Sequence, residues 1–145
     1  MPSGAVAQQD IVHATCVAFA KHGLLIIGPS GSGKSALGLA LMALGAKLVA
    51  DDRTILTNKA GGLHAKCPPT LRGLIEARGL GLIRAKTQAS TKIALVVDMG
   101  QTESDRLPPH RYTTLCEVTC AIVLGQQSPH FPAFLMAYLM GGRQA

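Results

Sequence analysis

The sequence predicts an α/β domain: a mixed β-sheet flanked by a few helices and carrying a phosphate-binding loop (P-loop). Three observations lead there. Residues Gly28, Pro29, Ser30, Gly31, Ser32, Gly33, Lys34 and Ser35 satisfy G-x-x-x-x-G-K-[ST] in full. The apolar run Leu24–Ile27 enters this loop as a buried strand, and Ser35–Leu44 leaves it with the pattern of a helix. Five or more strand-like segments against two or three helical ones, with at least one hairpin, argue for a mixed sheet rather than a strictly alternating array.

Taken in order, Met1–Asp10 has no basic region ahead of an apolar core, so it reads as a flexible tail of residues 1–10 and not a secretory signal. A single domain then runs over residues 11–145. Ile11–Ala20 reads as one strand, and Lys21–Gly23 turns it into Leu24–Ile27. Gly45 is placed to cap the helix that follows the loop, and Lys47–Ala50 forms a short buried strand ending on Asp51 and Asp52. Carboxylates at such a strand end can face a nucleotide held next door, or can merely cap a solvated turn.

Arg53–Thr57 and Leu63–Lys66 flank Asn58–Gly62 as a hairpin, closed by Cys67-Pro-Pro69. A helical turn is expected over Leu71–Ala77, then a compact Arg78–Gly81 and a strand at Leu82–Arg84. Glu76 and Arg78 sit at this glycine-flanked junction, where side chains can be aimed into a site; spacing alone favours an exposed ion pair. Ile93–Met99 is the clearest later strand. A polar loop over Thr102–His110, a strand at Val118–Leu124 and a helix at Pro132–Met140 complete the chain, with Gly141-Gly142 ending the helix.

Composition narrows the function. Apolar residues make up 48% of 145, yet no run reaches the roughly 18 to 20 residues that cross a bilayer, so a soluble protein with no membrane contact is expected. Cys16, Cys67, Cys116 and Cys120 lack C-x-x-C spacing and suit reduced thiols of a cytoplasmic protein. The net charge of +6 does not imply nucleic acid, because aromatics are only 3% and the basic residues are dispersed. A phosphate-rich nucleotide and an acidic protein partner account for it equally well. With no N-K-x-D motif for guanine, ATP is the expected nucleotide. Lys34 would reach its β- and γ-phosphates, and the Ser35 hydroxyl would ligate Mg²⁺.

These residues resemble the catalytic domain of the HPr kinase/phosphorylase family. The features coincide in order: His13 ahead of the loop, Gly28–Ser35, Leu48-Val-Ala-Asp-Asp52, Ile75-Glu-Ala-Arg-Gly-Leu-Gly-Leu-Ile83 and Asp105-Arg-Leu107. The loop is common to many families, whereas the Asp pair combined with E-x-R-G-L-G is specific. The resemblance implies a fold shared with the phosphoenolpyruvate carboxykinases, and phosphorylation of a serine on an HPr-like phosphocarrier protein with ATP and Mg²⁺. It implies Asp51 as general base, His13 and Arg106 at the active site, Ser35 and Glu76 as Mg²⁺ ligands, and Asp52 and Arg78 in support. It further implies a homo-oligomer, a hexamer, and a core-only form lacking the family's flanking parts. Leu124–His130 stands where the family carries an arginine and an asparagine linked to dephosphorylation, so phosphorylase activity is expected to be weak. A small-molecule P-loop kinase and a nucleotide sensor without catalysis are the competing readings.

Overall fold

The computed structural model describes residues 9–145. Eleven strands and two helices follow in the order β1 (Gln9–Val12), β2 (Ala14–Phe19), β3 (His22–Ile27), α1 (Lys34–Ala43), β4 (Lys47–Ala50), β5 (Thr54–Lys59), β6 (Gly62–Lys66), β7 (Leu74–Ala77), β8 (Gly81–Arg84), β9 (Ser90–Thr102), β10 (Arg111–Leu115), β11 (Val118–Gly125) and α2 (Phe131–Gly141). Most of the expected tail lies outside the described residues. Its last two, Gln9 and Asp10, are strand, paired with Thr57 and Leu56.

The sheet is mixed and curled. Its strand order is β1-β5-β6-β9-β3-β2-β4, and β11 joins the same edge of β9 farther along, bringing β10 with it. The 13-residue β9 makes this branching possible: Ser90–Lys92 pair with β6, while Val96–Asp98 pair with β11. β3 runs parallel to β9 and β9 parallel to β11, and β4 is antiparallel to β2, which is itself antiparallel to β3. The carboxyl ends of β3, β4, β9 and β11 therefore meet the amino end of β2 along one edge. That edge carries the phosphate loop, Asp51-Asp52 and His13.

Alternation along the strands sends side chains to two cores. Leu24, Ile26, Leu95 and Val97 face the helices, where they meet Leu37 and Leu41 of α1 and Phe131, Leu135 and Leu139 of α2. Leu25, Val96, Cys16 and Val49 face the other way, onto Leu56, Leu63 and Ala65 of the curled β5–β6 hairpin. Each fully buried leucine contributes on the order of 1.5–3 kcal/mol. Burial also pushes the thiols of Cys16, Cys67, Cys116 and Cys120 up, and all four are free. No helix among the described residues is long and apolar enough to cross a membrane.

Three expectations are corrected. Residues 71–77 are not a helical turn: a single 3-10 turn covers Pro69–Leu71, and β7 then pairs with β8 as a separate hairpin. Gly73, at φ +82°, ends the turn, and burial then alternates along Leu74–Ala77 with the period of a strand. The single strand expected over 11–20 is two, interrupted by a bend at His13, and the turn to β3 is Ala20-Lys21. β10 was unexpected, since its polar Arg111-Tyr-Thr-Thr-Leu115 falls where a loop leads into β11.

The loop after β9 is held by Glu103. Its carboxylate accepts the backbone N–H groups of Ser104 and Asp105 and pairs with Arg111. The Asp105 N–H most of all, with Arg111 and the Ser104 N–H, holds the Glu103 carboxyl below its ordinary value, against partial desolvation that raises it. A depressed carboxyl gives its stabilisation above the unfolded-state value and loses it as pH falls through the folded-state value. Amide protection factors at Ser104 and Asp105 should therefore decline on acidification below about pH 4. In Glu103→Gln they should be low at neutral pH and show no such step.

A second prediction concerns Gly38 of α1, where a Cβ would stand 2.9 Å from the Thr15 methyl. The absence of a side chain is what lets the helix sit this close to β2. Gly38→Val should lower unfolding stability by about 1–3 kcal/mol through overpacking, measured by chemical denaturation.

Candidate active site

Gly28–Ser35 forms the turn between β3 and α1, and its backbone shows why glycine is needed there. Gly31 and Gly33 have φ of +80° and +95°, and a Cβ on Gly28 would stand 2.6 Å from Ser32 Oγ. The loop thereby wraps the amino end of α1, a ten-residue helix whose first turn turns its free N–H groups toward any anion held there. Lys34 is buried, and its Nζ donates to the carbonyls of Gly28 at 2.9 Å and Pro29 at 3.1 Å. Ser32 Oγ is buried and has no hydrogen-bond partner among the described residues. The cradle of positive-φ glycines, the Lys34 ammonium and the free N–H groups at the helix start are what a bound phosphate would use. The residues present thus fit a nucleotide.

The two neighbouring aspartates occupy different environments. Asp51 is 8% exposed, and its Oδ1 accepts the hydroxyls of Thr15 at 2.8 Å and Ser35 at 2.7 Å. Its Oδ2 takes a long 3.4 Å contact from the backbone N–H of Glu76. Asp51 therefore joins β2, α1 and β7 beneath the loop. Asp52 points outward, its side chain 64% exposed, with Oδ1 2.6 Å from Nε2 of His13. The bend between β1 and β2 carries that histidine across to the end of β4, and the backbone N–H of Ala14 bonds the Asp52 carbonyl at 3.2 Å.

A cleft of about 300 Å³ lies over the loop. His13, Asp52, Glu76 and Arg78 line it together with Ser30, Gly31, Gly33, Lys34 and Ser35. Thr15 also reaches it; a lone threonine in an apolar strand was the available signal, and sequence reasoning passed over it. Asp51 does not line the cleft. Arg106 is exposed on the loop after β9, on the same edge of the sheet but outside the cleft lining. For Mg²⁺ the donor chemistry fits. Ser35 and Glu76 offer hard oxygens, and this cation ordinarily takes only one or two protein ligands, with phosphates and water supplying the rest. Leu124–His130 forms the end of β11 and the approach to α2, and it also starts from this edge.

Comparison with known proteins agrees with this architecture. A model of the HPr Serine kinase C-terminal domain matches residues 4–120. The chain is 39% identical to the HPr kinase/phosphorylase of Cupriavidus necator over 70% of its own length and 35% of that protein. It is 32% identical to the HPr kinase/phosphorylase of Burkholderia lata over 83% of its length and 43% of that protein. It thus spans about a third to two fifths of the curated relatives it matches. The solved HPr(Ser) kinase/phosphatase of Coxiella burnetii superimposes with a TM-score of 0.74 at 24% identity, covering 90% of this chain and 93% of that one. This last likeness is one of fold. The chain belongs to the HPr serine kinase C-terminal domain family.

Proposed function

We propose that this member of the family is an ATP- and Mg²⁺-dependent protein kinase acting on a serine of an HPr-like phosphocarrier protein. One observation carries the reading: an exposed carboxylate, Asp52, and the phosphate loop with its Lys34 and Ser35 border one cleft. Phosphoryl transfer asks the protein mainly for positioning, charge and one oriented nucleophile.

In this reading the acceptor serine oxygen attacks the γ-phosphorus as the bond to the β–γ bridging oxygen breaks, releasing ADP. Asp52 takes the serine proton, and His13, 2.6 Å away, orients that carboxylate. The role expected of Asp51 thereby passes to its neighbour. Asp51 is buried and already accepts two hydroxyls, so it suits the task of holding Ser35 in place. Ser35 and Glu76 would hold Mg²⁺, which neutralises charge on the phosphates when bound. Lys34 would exchange its two carbonyl partners for phosphate oxygens, and Arg78, in the cleft lining, would add positive charge. Arg106 belongs to the same proposal as a residue brought in by the loop after β9. In the reverse, phosphorylase direction Asp52 would return the proton. A cytoplasmic homo-oligomer, a hexamer by resemblance, completes the reading.

Three substitutions test it. Lys34→Ala should abolish transfer while the fold persists. Asp52→Asn should slow transfer to the carrier by about 10²- to 10⁴-fold, the usual contribution of a general base, with ATP affinity retained by calorimetry. Asp51→Asn should act through the metal, raising the Mg²⁺ concentration needed for half-maximal rate. Loss of transfer in Asp51→Asn with full activity in Asp52→Asn would restore Asp51 as base. Tight ATP binding by a wild-type protein that phosphorylates no carrier would favour the nucleotide sensor.

A further inference from the structure

The surface depression does not stop at the His13–Asp52 pair. It continues past it, first between Ile11, Val12, His13, Asp52 and Arg53, and then between Ile11, Asp52, Arg53, Pro68, Thr70 and Leu71. Asp52 borders both stretches and the nucleotide cleft as well. One carboxylate thus stands where a phosphate-holding cleft meets a partly apolar groove.

We propose that this groove seats the acceptor protein, with an apolar side chain near the reacting serine packed on Ile11 and Leu71 and a carboxylate of the acceptor on Arg53. The proposal rests on the kinase reading and adds to it the surface that selects the substrate. Ile11 is 57% exposed and lines both stretches of the groove, so it offers an apolar surface that a side chain of the acceptor can cover. β1 is the terminal strand of the sheet, so among the described residues no further strand flanks it. Arg53 follows Asp52 directly, and its backbone N–H bonds the Asp51 carbonyl at 2.8 Å, which fixes the base of the side chain. Its guanidinium forms no ion pair among the described residues. A free cation at the rim of an apolar groove on a chain of net charge +6 calls for an acidic partner.

The neighbouring surface offers a rival. Leu80, at the tip of the β7–β8 hairpin, is 82% exposed two residues beyond Arg78, which lines the cleft. A partner approaching there would leave Ile11 and Arg53 untouched.

The test uses the full chain with ATP, Mg²⁺ and a purified HPr-like phosphocarrier as probe. Ile11→Asp and Arg53→Glu should each raise the KM for the carrier by about tenfold or more, the usual effect of losing one strong interface residue. The ATP dissociation constant and kcat at saturating carrier should stay within about twofold of wild type. Ile11→Ser, a milder change, should shift KM in the same direction, and thermal unfolding checks that each variant is folded. A photoreactive side chain at position 11 should cross-link the carrier, whereas one at position 80 should not. Unchanged carrier KM in both charge variants, or cross-linking from position 80 alone, overturns the groove while leaving the kinase reading intact. A wild-type protein that binds ATP and transfers to no carrier serine overturns both.

Discussion

The Asp51 carboxylate is the constraint around which the site is assembled. A carboxylate removed from water costs several kcal/mol unless donors surround it. Here those donors come from three elements far apart in sequence: the Thr15 hydroxyl from β2, the Ser35 hydroxyl from α1 and, more distantly, the Glu76 N–H from β7. Each must be in place for the charge to be tolerated, so one buried group couples the strand, the helix and the hairpin that line the cleft. The same bonds orient Ser35 and hold the start of β7, from which Glu76 reaches the cleft lining.

Strand direction does the rest. Because β3, β4, β9 and β11 end on one edge and β2 begins there, the loop, both aspartates and His13 converge without long excursions of the chain. Binding at the carboxyl ends of parallel strands is the general habit of α/β sheets. The antiparallel β2 adds something a purely parallel sheet lacks, a residue entering the site just before a strand instead of just after one.

Much of this was legible in the residues. The Gly28–Ser35 spacing, the apolar strand before it and the helix after it defined the loop, and Ile93–Met99 and Val118–Leu124 announced β9 and β11. What escaped was set by contacts that local pattern does not encode. Leu71, Leu74 and Ile75 have helical spacing, yet Gly73 takes a left-handed conformation and Ile75 and Ala77 are buried on one face of a hairpin. β10 is polar because half of it faces solvent, and it exists through its pairing with β11. Asp51 and Asp52 are chemically identical side by side. Only the turn after β4 decides which is buried and which meets His13, and that turn is fixed by Ala14 and Arg53 bonding across it.

The conformation of Asp52 has a consequence for how this position can vary through descent. Its φ is +69°, a left-handed backbone that asparagine and aspartate tolerate, glycine accepts freely and most other side chains resist. Glutamate, which would keep the charge, would meet a backbone penalty and would carry the carboxylate one methylene farther from His13. The replacements that meet this backbone with least strain are thus asparagine and glycine, both of which discard the negative charge.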